Sequence, residues 1–296
     1  MNNTSNAHLS TRTSVLFQTG QGGLPMLVVQ TPASEAHIYL HGAQVTHFQR
    51  RGERPVLFMS AQSLFAEGKA IRGGIPVILP WFGPRAGQPL HVFARLHAWQ
   101  VGEIQTLPGN EARVLLHLPA CPEAAEWPRF EATCAITVGE ELGVELSVNN
   151  TDPARALDLQ TCLHTYFAVA DIAQVEVRGL KGVSYLDALE GMAPKVQIED
   201  PIRFTSEVDR VYKNSPHAVE ITDLAWQRII RVEKEQSHST VVWNPWIAKA
   251  QRMPDFGDDE YRRMVCVESG NVWQNSLTLA SGATAMMRVR LSTRPA

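Results

Sequence analysis

A two-residue alternation of apolar and polar side chains recurs along this chain and limits what it can fold into. Leu142, Val144, Leu146 and Val148 alternate with Gly143, Glu145 and Ser147. Just before them, Phe130, Ala132, Cys134, Ile136 and Val138 alternate with Glu131, Thr133 and Thr137. Successive side chains of a strand point to opposite faces, so each run reads as a half-buried strand. Gly139-Glu140-Glu141 between the two reads as the turn of a hairpin. Similar short runs fall around residues 26–29, 37–40, 56–59, 113–118, 229–232, 240–243, 263–268 and 286–291. Helical periodicity is scarce: residues 61–68 and 223–227 offer a turn or two each, and neither would carry the fold. Many short strands separated by Gly, Pro and Asn predict an all-β sandwich or barrel rather than a βαβ sheet.

No internal repeat, low-complexity tract or linker-like break divides the sequence. One domain over 15–296 is therefore expected, after a loosely ordered polar segment over 1–14. With 296 residues, 44% of them hydrophobic, the chain can bury one large core. The net charge of −3 creates no global field for nucleic acid or an anionic membrane, so an anionic ligand needs a local pocket. Cys121, Cys134, Cys162 and Cys266 lie far apart without a CxxC pair, against both a zinc cluster and a disulfide framework. The polar start lacks the apolar stretch of a signal peptide. No window approaches the roughly 20 apolar residues of a membrane span. A cytoplasmic monomer acting on a small molecule, without nucleic-acid or membrane partners, is the expectation.

Two segments are too rich in chemistry to be mere connections. One spans 68–99 and holds Arg72-Gly73-Gly74-Ile75-Pro76, Pro80-Trp81-Phe82-Gly83 and His91-Val92-Phe93-Ala94-Arg95. The other is Trp243-Asn244-Pro245-Trp246 with Lys249 and an acidic stretch over 255–260. Over 157–169 a single strand is expected, its odd positions mostly apolar, with Asp158, Gln160, Cys162, His164 and Tyr166 on the other face. That polar row lines either a sugar cleft, with His164 as a proton donor near neutral pH, or a solvated surface. Glu268 ends the run Met264-Val265-Cys266-Val267-Glu268, either at a wet strand end or in a semi-buried site where burial would strengthen it as a base. Arg72 and Arg95 suit a phosphate by the guanidinium's paired hydrogen bonds, and Gly73 and Gly74 would let a ligand approach the backbone. Each arginine alone reads equally as a surface residue. Trp81, Trp243 and Trp246 are the tryptophans placed to stack on a sugar ring. His37 and His41 are four apart, but on a strand, and no HExxH exists, so no metal site is expected.

Taken in order, these segments resemble the hexose-6-phosphate mutarotase branch of the aldose 1-epimerase family. Leu163-His164-Thr165-Tyr166-Phe167, Val208-Asp209-Arg210-Val211-Tyr212 and Cys266-Val267-Glu268 complete the set with the two segments above. The resemblance implies an antiparallel β-supersandwich of the galactose mutarotase type, no cofactor and a phosphosugar substrate. By the same resemblance His164 matches the general acid and Glu268 the general base. Arg72 and Arg95 match the phosphate-binding positions, Asp209 an aspartate that holds sugar hydroxyls, and His91 a cleft histidine. Two positions depart from the family's Gln-His-Gly-Phe-Ala-Arg. Leu90 cannot make a polar contact, and Val92 stands where a glycine is usual, so the loop backbone is expected to differ if that glycine has positive φ. Competing readings are a mutarotase for unphosphorylated aldoses, a non-catalytic sugar-binding protein, and a glycosidase pairing Glu268 with Asp209 or Asp258 at roughly 5–9.5 Å.

Overall fold

A computed structural model describes residues 12–296. Most of the expected segment over 1–14 lies outside the described residues, and Ser14 already opens the first strand. Every ladder among the described residues is antiparallel. The hairpin runs as its alternation dictates: Phe130–Val138 pairs with Leu142–Asn150, Val138 faces Leu142, and Gly139 N–H closes the turn on the Glu141 carbonyl at 3.0 Å.

These two strands belong to an eight-stranded sheet that continues through Thr284–Pro295 and Arg228–Glu235 on one side and Glu111–His117 on the other. A second eight-stranded sheet has Val208–Lys213, Ser239–Asn244, Met264–Asn271 and Thr161–Leu163 as its middle, with Val77–Ile78 at one edge. A four-stranded meander over residues 14–50 adds a third layer. The two large sheets face each other. Thr161 of one donates to the Met287 sulfur of the other at 3.4 Å, and Lys234 of one donates to the Thr240 hydroxyl of the other at 2.6 Å. Buried apolar residues of all three sheets form one contiguous cluster. The architecture is an antiparallel β-supersandwich.

Both helical expectations fail. Residues 61–68 form turns, and 224–227 is the tight connection between Val219–Asp223 and Arg228–Glu235, whose ladder pulls both ends into strand. The α-helix that does form among the described residues, Trp246–Ala250, follows Pro245 and begins with the Asn244 side chain accepting from Trp246 N–H at 2.9 Å. The strand expected over 157–169 is broken into Leu157–Leu159, Thr161–Leu163 and Tyr166–Ala168. The breaks occur where the incoming loop takes the backbone donors: Gln160 N–H bonds the Pro80 carbonyl at 2.8 Å and His164 N–H the Pro76 carbonyl at 3.0 Å.

Candidate active site

Register brings the candidates together. Asp209 pairs with Trp243, Trp243 with Cys266, and Cys266 with Tyr166, one row across four strands on one sheet face. Glu268 lies two residues beyond Cys266 and Cys162 opposite Gly270, so both share that face. Thr161 has the opposite parity and reaches into the sandwich. Of the even-numbered row of the sequence, Cys162, His164 and Tyr166 are buried on this face, whereas Asp158 is exposed in a separate two-stranded ladder and Gln160 accepts from Trp273 N–H.

His164 Nδ1 stands 3.3 Å from Glu268 Oε1. The angle is wrong for a hydrogen bond, and Nδ1 is left without a partner although the residue is only 8% exposed. The Cys162 thiol donates to the other carboxylate oxygen, Oε2, at 3.4 Å. The imidazole is stacked on Tyr166, with ring centroids 4.9 Å apart and planes within 8°, while Trp243 and His91 present edges to it at 6.2 and 5.6 Å. Rings on three sides fix its orientation.

Burial decides the protonation of this pair. Glu268, 1% exposed, is pushed well above the usual carboxylate range by desolvation and by the negative charge of Asp209, against the Cys162 hydrogen bond and Arg95. His164 is pushed well below the usual imidazole range by desolvation, then by His91, Arg95 and Arg72. Both shifts favour the neutral forms, a carboxyl on Glu268 and an uncharged imidazole on His164.

The two arginines differ. Arg72 gives Nε and Nη2 to Asp255 at 3.1 and 3.0 Å and Nη1 to the Tyr166 hydroxyl at 2.9 Å. Its charge is matched. Arg95, 8% exposed, has no carboxylate within ion-pair distance among the described residues. It donates Nη2 to the Leu90 carbonyl at 2.8 Å, and its Nε is unpartnered. Desolvation and the nearby Arg72 charge pull it down to about 10.

His91 accepts at Nδ1 from Gly83 N–H at 3.0 Å, and its own N–H bonds the Gly83 carbonyl at 3.1 Å, closing the 83–91 loop on itself. With Nδ1 accepting and burial holding the ring neutral, its proton sits on Nε2 as a donor. Asp209 and Glu207 share Lys249 Nζ at 3.3 and 3.1 Å, and that ammonium lies 5.6 Å from the Trp243 ring centre. Desolvation raises Asp209.

Other expectations resolve differently. Val92 keeps a positive φ of 48°, next to His91 at 61°, so a β-branched residue takes a backbone conformation that usually favours glycine. Leu90 points outward at 52% exposure, and only its carbonyl serves the site, through Arg95. Gly73 and Gly74 admit backbone rather than a ligand: a Cβ would lie 2.5 Å from the Phe58 carbonyl oxygen and 2.2 Å from that of Val45. Of the three tryptophans, Trp243 joins the site, whereas Trp81 stacks under Arg85 at 5.0 Å and Trp246 meets Tyr261 at 5.2 Å. His37 and His41 do not converge, being bonded to Glu35 and to the Lys69 carbonyl. Asp258 is exposed. Sequence reasoning gave no role to Tyr166, Cys162, Cys266 or Asp255, although parity with His164 already marked Cys162 and Tyr166.

The sequence profile of the aldose 1-epimerase family matches residues 25–292. A protein of Cenchrus ciliaris, provisionally named glucose-6-phosphate 1-epimerase, is 38% identical over 269 residues, 88% of this chain and 82% of its own. One of Escherichia coli with the same provisional name is 34% identical over 250 residues, 83% of each chain. Among solved structures, a protein of Salmonella typhimurium provisionally described as a mutarotase superposes with a TM-score of 0.86 at 28% identity, covering 96% of this chain and 97% of that one. A galactose 1-epimerase of Lactobacillus acidophilus shares the fold at a TM-score of 0.73 and 13% identity, over 97% and 99% of the two chains.

Proposed function

The chain belongs to the aldose 1-epimerase family, and from that premise we propose that it interconverts the α and β anomers of a hexose 6-phosphate, glucose 6-phosphate first, without a cofactor. The observation that carries the phosphate is Arg95. A buried guanidinium with no carboxylate partner costs several kcal/mol unless an anion arrives to match it. The names of the relatives from Cenchrus ciliaris and Escherichia coli support the same substrate.

The proposed chemistry needs two proton transfers on atoms that share one carbon. Glu268 takes the proton of the anomeric hydroxyl while His164 protonates the ring oxygen; the C1–O5 bond breaks and the aldehyde forms. Rotation about C1–C2 exposes the other carbonyl face, and closure returns both protons. O1 and O5 are attached to the same carbon, so their acid and base must stand close together, as the 3.3 Å approach of His164 and Glu268 allows. Starting from a protonated carboxyl, one proton must pass to His164. An anion that matches Arg95 favours that transfer, because Arg95 is one of the charges that disfavour the imidazolium. Paired acid and base catalysis of this kind contributes roughly 10²–10⁴-fold.

Arg95 supplies the unmatched charge for the phosphate. Arg72 uses three of a guanidinium's five N–H donors on Asp255 and Tyr166, which leaves two for the ligand. Asp209 and the Nε2–H of His91 hold sugar hydroxyls. Residues 15–296 act as one domain around their contiguous core. We read the protein as a monomer, and as cytoplasmic because its four cysteines are free and buried, as a reducing compartment allows.

A second reading, a mutarotase for unphosphorylated aldoses, draws on Asp255, which already matches Arg72. Initial rates from pure α-glucose 6-phosphate and pure α-glucose separate the two. The phosphate reading expects kcat/KM at least about 10²-fold higher on the phosphosugar; equal values sink it, and no acceleration of either sugar sinks the mechanism.

A further inference from the structure

Among the described residues one group of three side chains can converge on a metal ion: His164, Cys266 and Glu268, whose ligand atoms all lie within 4.8 Å of one another. It is not a surface accident, because the three are 8%, 0% and 1% exposed. A second observation points at a ligand. His164 Nδ1 is buried and unpartnered, and it sits 3.3 Å from Glu268 Oε1 without forming a hydrogen bond. Two ligands of one tetrahedral zinc, each about 2.1 Å from the ion, stand about 3.4 Å apart with their lone pairs directed at the ion between them. An imidazole nitrogen and a carboxylate oxygen 3.3 Å apart without a hydrogen bond between them match that spacing. The Cys266 sulfur supplies the soft donor that selects zinc over magnesium or calcium.

We propose that His164, Cys266 and Glu268 form a binding site for a thiophilic divalent cation, zinc above all, which occupies the cleft in competition with the sugar. Three protein ligands leave a fourth position for water. The Cys266 thiol gives its proton to solvent as the metal–sulfur bond forms, and so does the Glu268 carboxyl where it holds one. Zinc with one thiolate, one carboxylate and a neutral imidazole has no net charge, which suits a buried site. The Arg95 guanidinium works against any cation here, so affinity depends on both anionic ligands. The epimerisation described above uses no metal. Bound zinc would take both the acid and the base, and act as an inhibitor. That inhibition rests on the proposed function, whereas the binding site does not.

Cobalt(II), a coloured substitute for zinc, is the probe for the full chain in a non-chelating reductant. The wild-type protein is expected to show a near-ultraviolet sulfur-to-cobalt charge-transfer band and intense tetrahedral visible bands, both displaced by one equivalent of zinc. Cys266→Ser should lose the charge-transfer band, and His164→Ala should weaken the visible bands. Cys121→Ser, at a buried thiol outside the group, should keep both. If a melting curve shows that Cys266→Ser does not fold, Cys266→Ala replaces it. In the anomerisation assay zinc should slow the wild type at least tenfold, reversed by a chelator and by excess phosphosugar. A wild-type protein without the charge-transfer band, or a band equally strong in folded Cys266→Ser, overturns the site. A band without inhibition, in an enzyme active on the phosphosugar, overturns the competition. A band in a protein that accelerates no sugar leaves the site standing and sinks the functional reading instead.

Discussion

Replacing Arg95 with methionine should make the protein more stable and nearly useless on a phosphosugar at once. The side chain is buried, bonded only to the Leu90 carbonyl, and carries an unpartnered Nε. Its pull from 12.5 to about 10 corresponds to about 3 kcal/mol lost by keeping it charged in the folded protein. Methionine fills similar space without the charge and forfeits one hydrogen bond, about 1 kcal/mol. The net is a gain of about 2 kcal/mol, a melting point higher by a few degrees for a chain of this size. Against substrate the sign reverses. Two charge-assisted hydrogen bonds to phosphate, at about 1.5–3 kcal/mol each, amount to about 3–6 kcal/mol, or roughly 10²–10⁴-fold in kcat/KM on glucose 6-phosphate. Glucose, which has no phosphate to lose, should change less than about threefold. Polarimetric initial rates on both sugars and a thermal melt of each protein complete the test. Equal losses on glucose and its phosphate refute the assignment, and a lower melting point refutes the claim that Arg95 waits unmatched for an anion.

Glu268→Gln and His164→Ala should each cut kcat on glucose 6-phosphate by roughly 10²–10⁴-fold with an unchanged near-ultraviolet circular dichroism spectrum; near-wild-type rates in either remove that residue from the mechanism. In the wild type the acid limb of kcat/KM should lie below the ordinary imidazole range. The pair takes up a second proton only below the ordinary imidazole range, since His164 is lowered, and gives up the carboxyl proton only above the ordinary carboxylate range, since Glu268 is raised; an acid limb near 6.5 or higher contradicts this. Lys234, half-buried with the Ser215 carbonyl and the Thr240 hydroxyl as partners, is lowered from 10.5 to about 7 by desolvation. Between those values the unfolded chain holds the extra proton, so this residue's contribution to stability rises with pH across that window and its penalty is complete below about 7. Denaturant titrations at both ends should show the difference between wild type and Lys234→Met shift by about 2 kcal/mol, reduced from the full shift because the side chain is partly exposed; a constant difference refutes it.

The sequence disclosed the sandwich because alternation is a local property. The 130–150 hairpin could be read to the residue, since its turn and both faces lie within one window. The strand over 157–169 could not, because what breaks it is remote: the Pro76 and Pro80 carbonyls capture the His164 and Gln160 donors. The same remoteness hid the site's supports. Parity marked Cys162 and Tyr166, but that Cys162 would bond Glu268 depends on how Thr161–Leu163 registers against Met264–Asn271. Arg72 and Arg95 were indistinguishable as letters. Only Asp255, 183 residues further on, makes one a matched pair and leaves the other unmatched.

On the proposed function, that asymmetry is what would let so buried a site act on a charged sugar. Its key groups are left incomplete or driven out of their charged forms: Arg95 without a carboxylate, His164 Nδ1 without a partner, Glu268 toward its neutral form. Here the paired sheets hold them in place, with Tyr166 and Trp243 packed against the imidazole and Leu90 tethering the guanidinium. On that proposal a hexose phosphate would bring what is missing, an anion for Arg95 and two oxygens on one carbon for the acid and base. Binding energy from the remote phosphate would then set the proton on His164, which a neutral sugar would not do. Discrimination between the two sugars should accordingly be expressed in kcat as well as in KM, and a phosphate effect confined to KM would mean that the arginines bind substrate without preparing the acid.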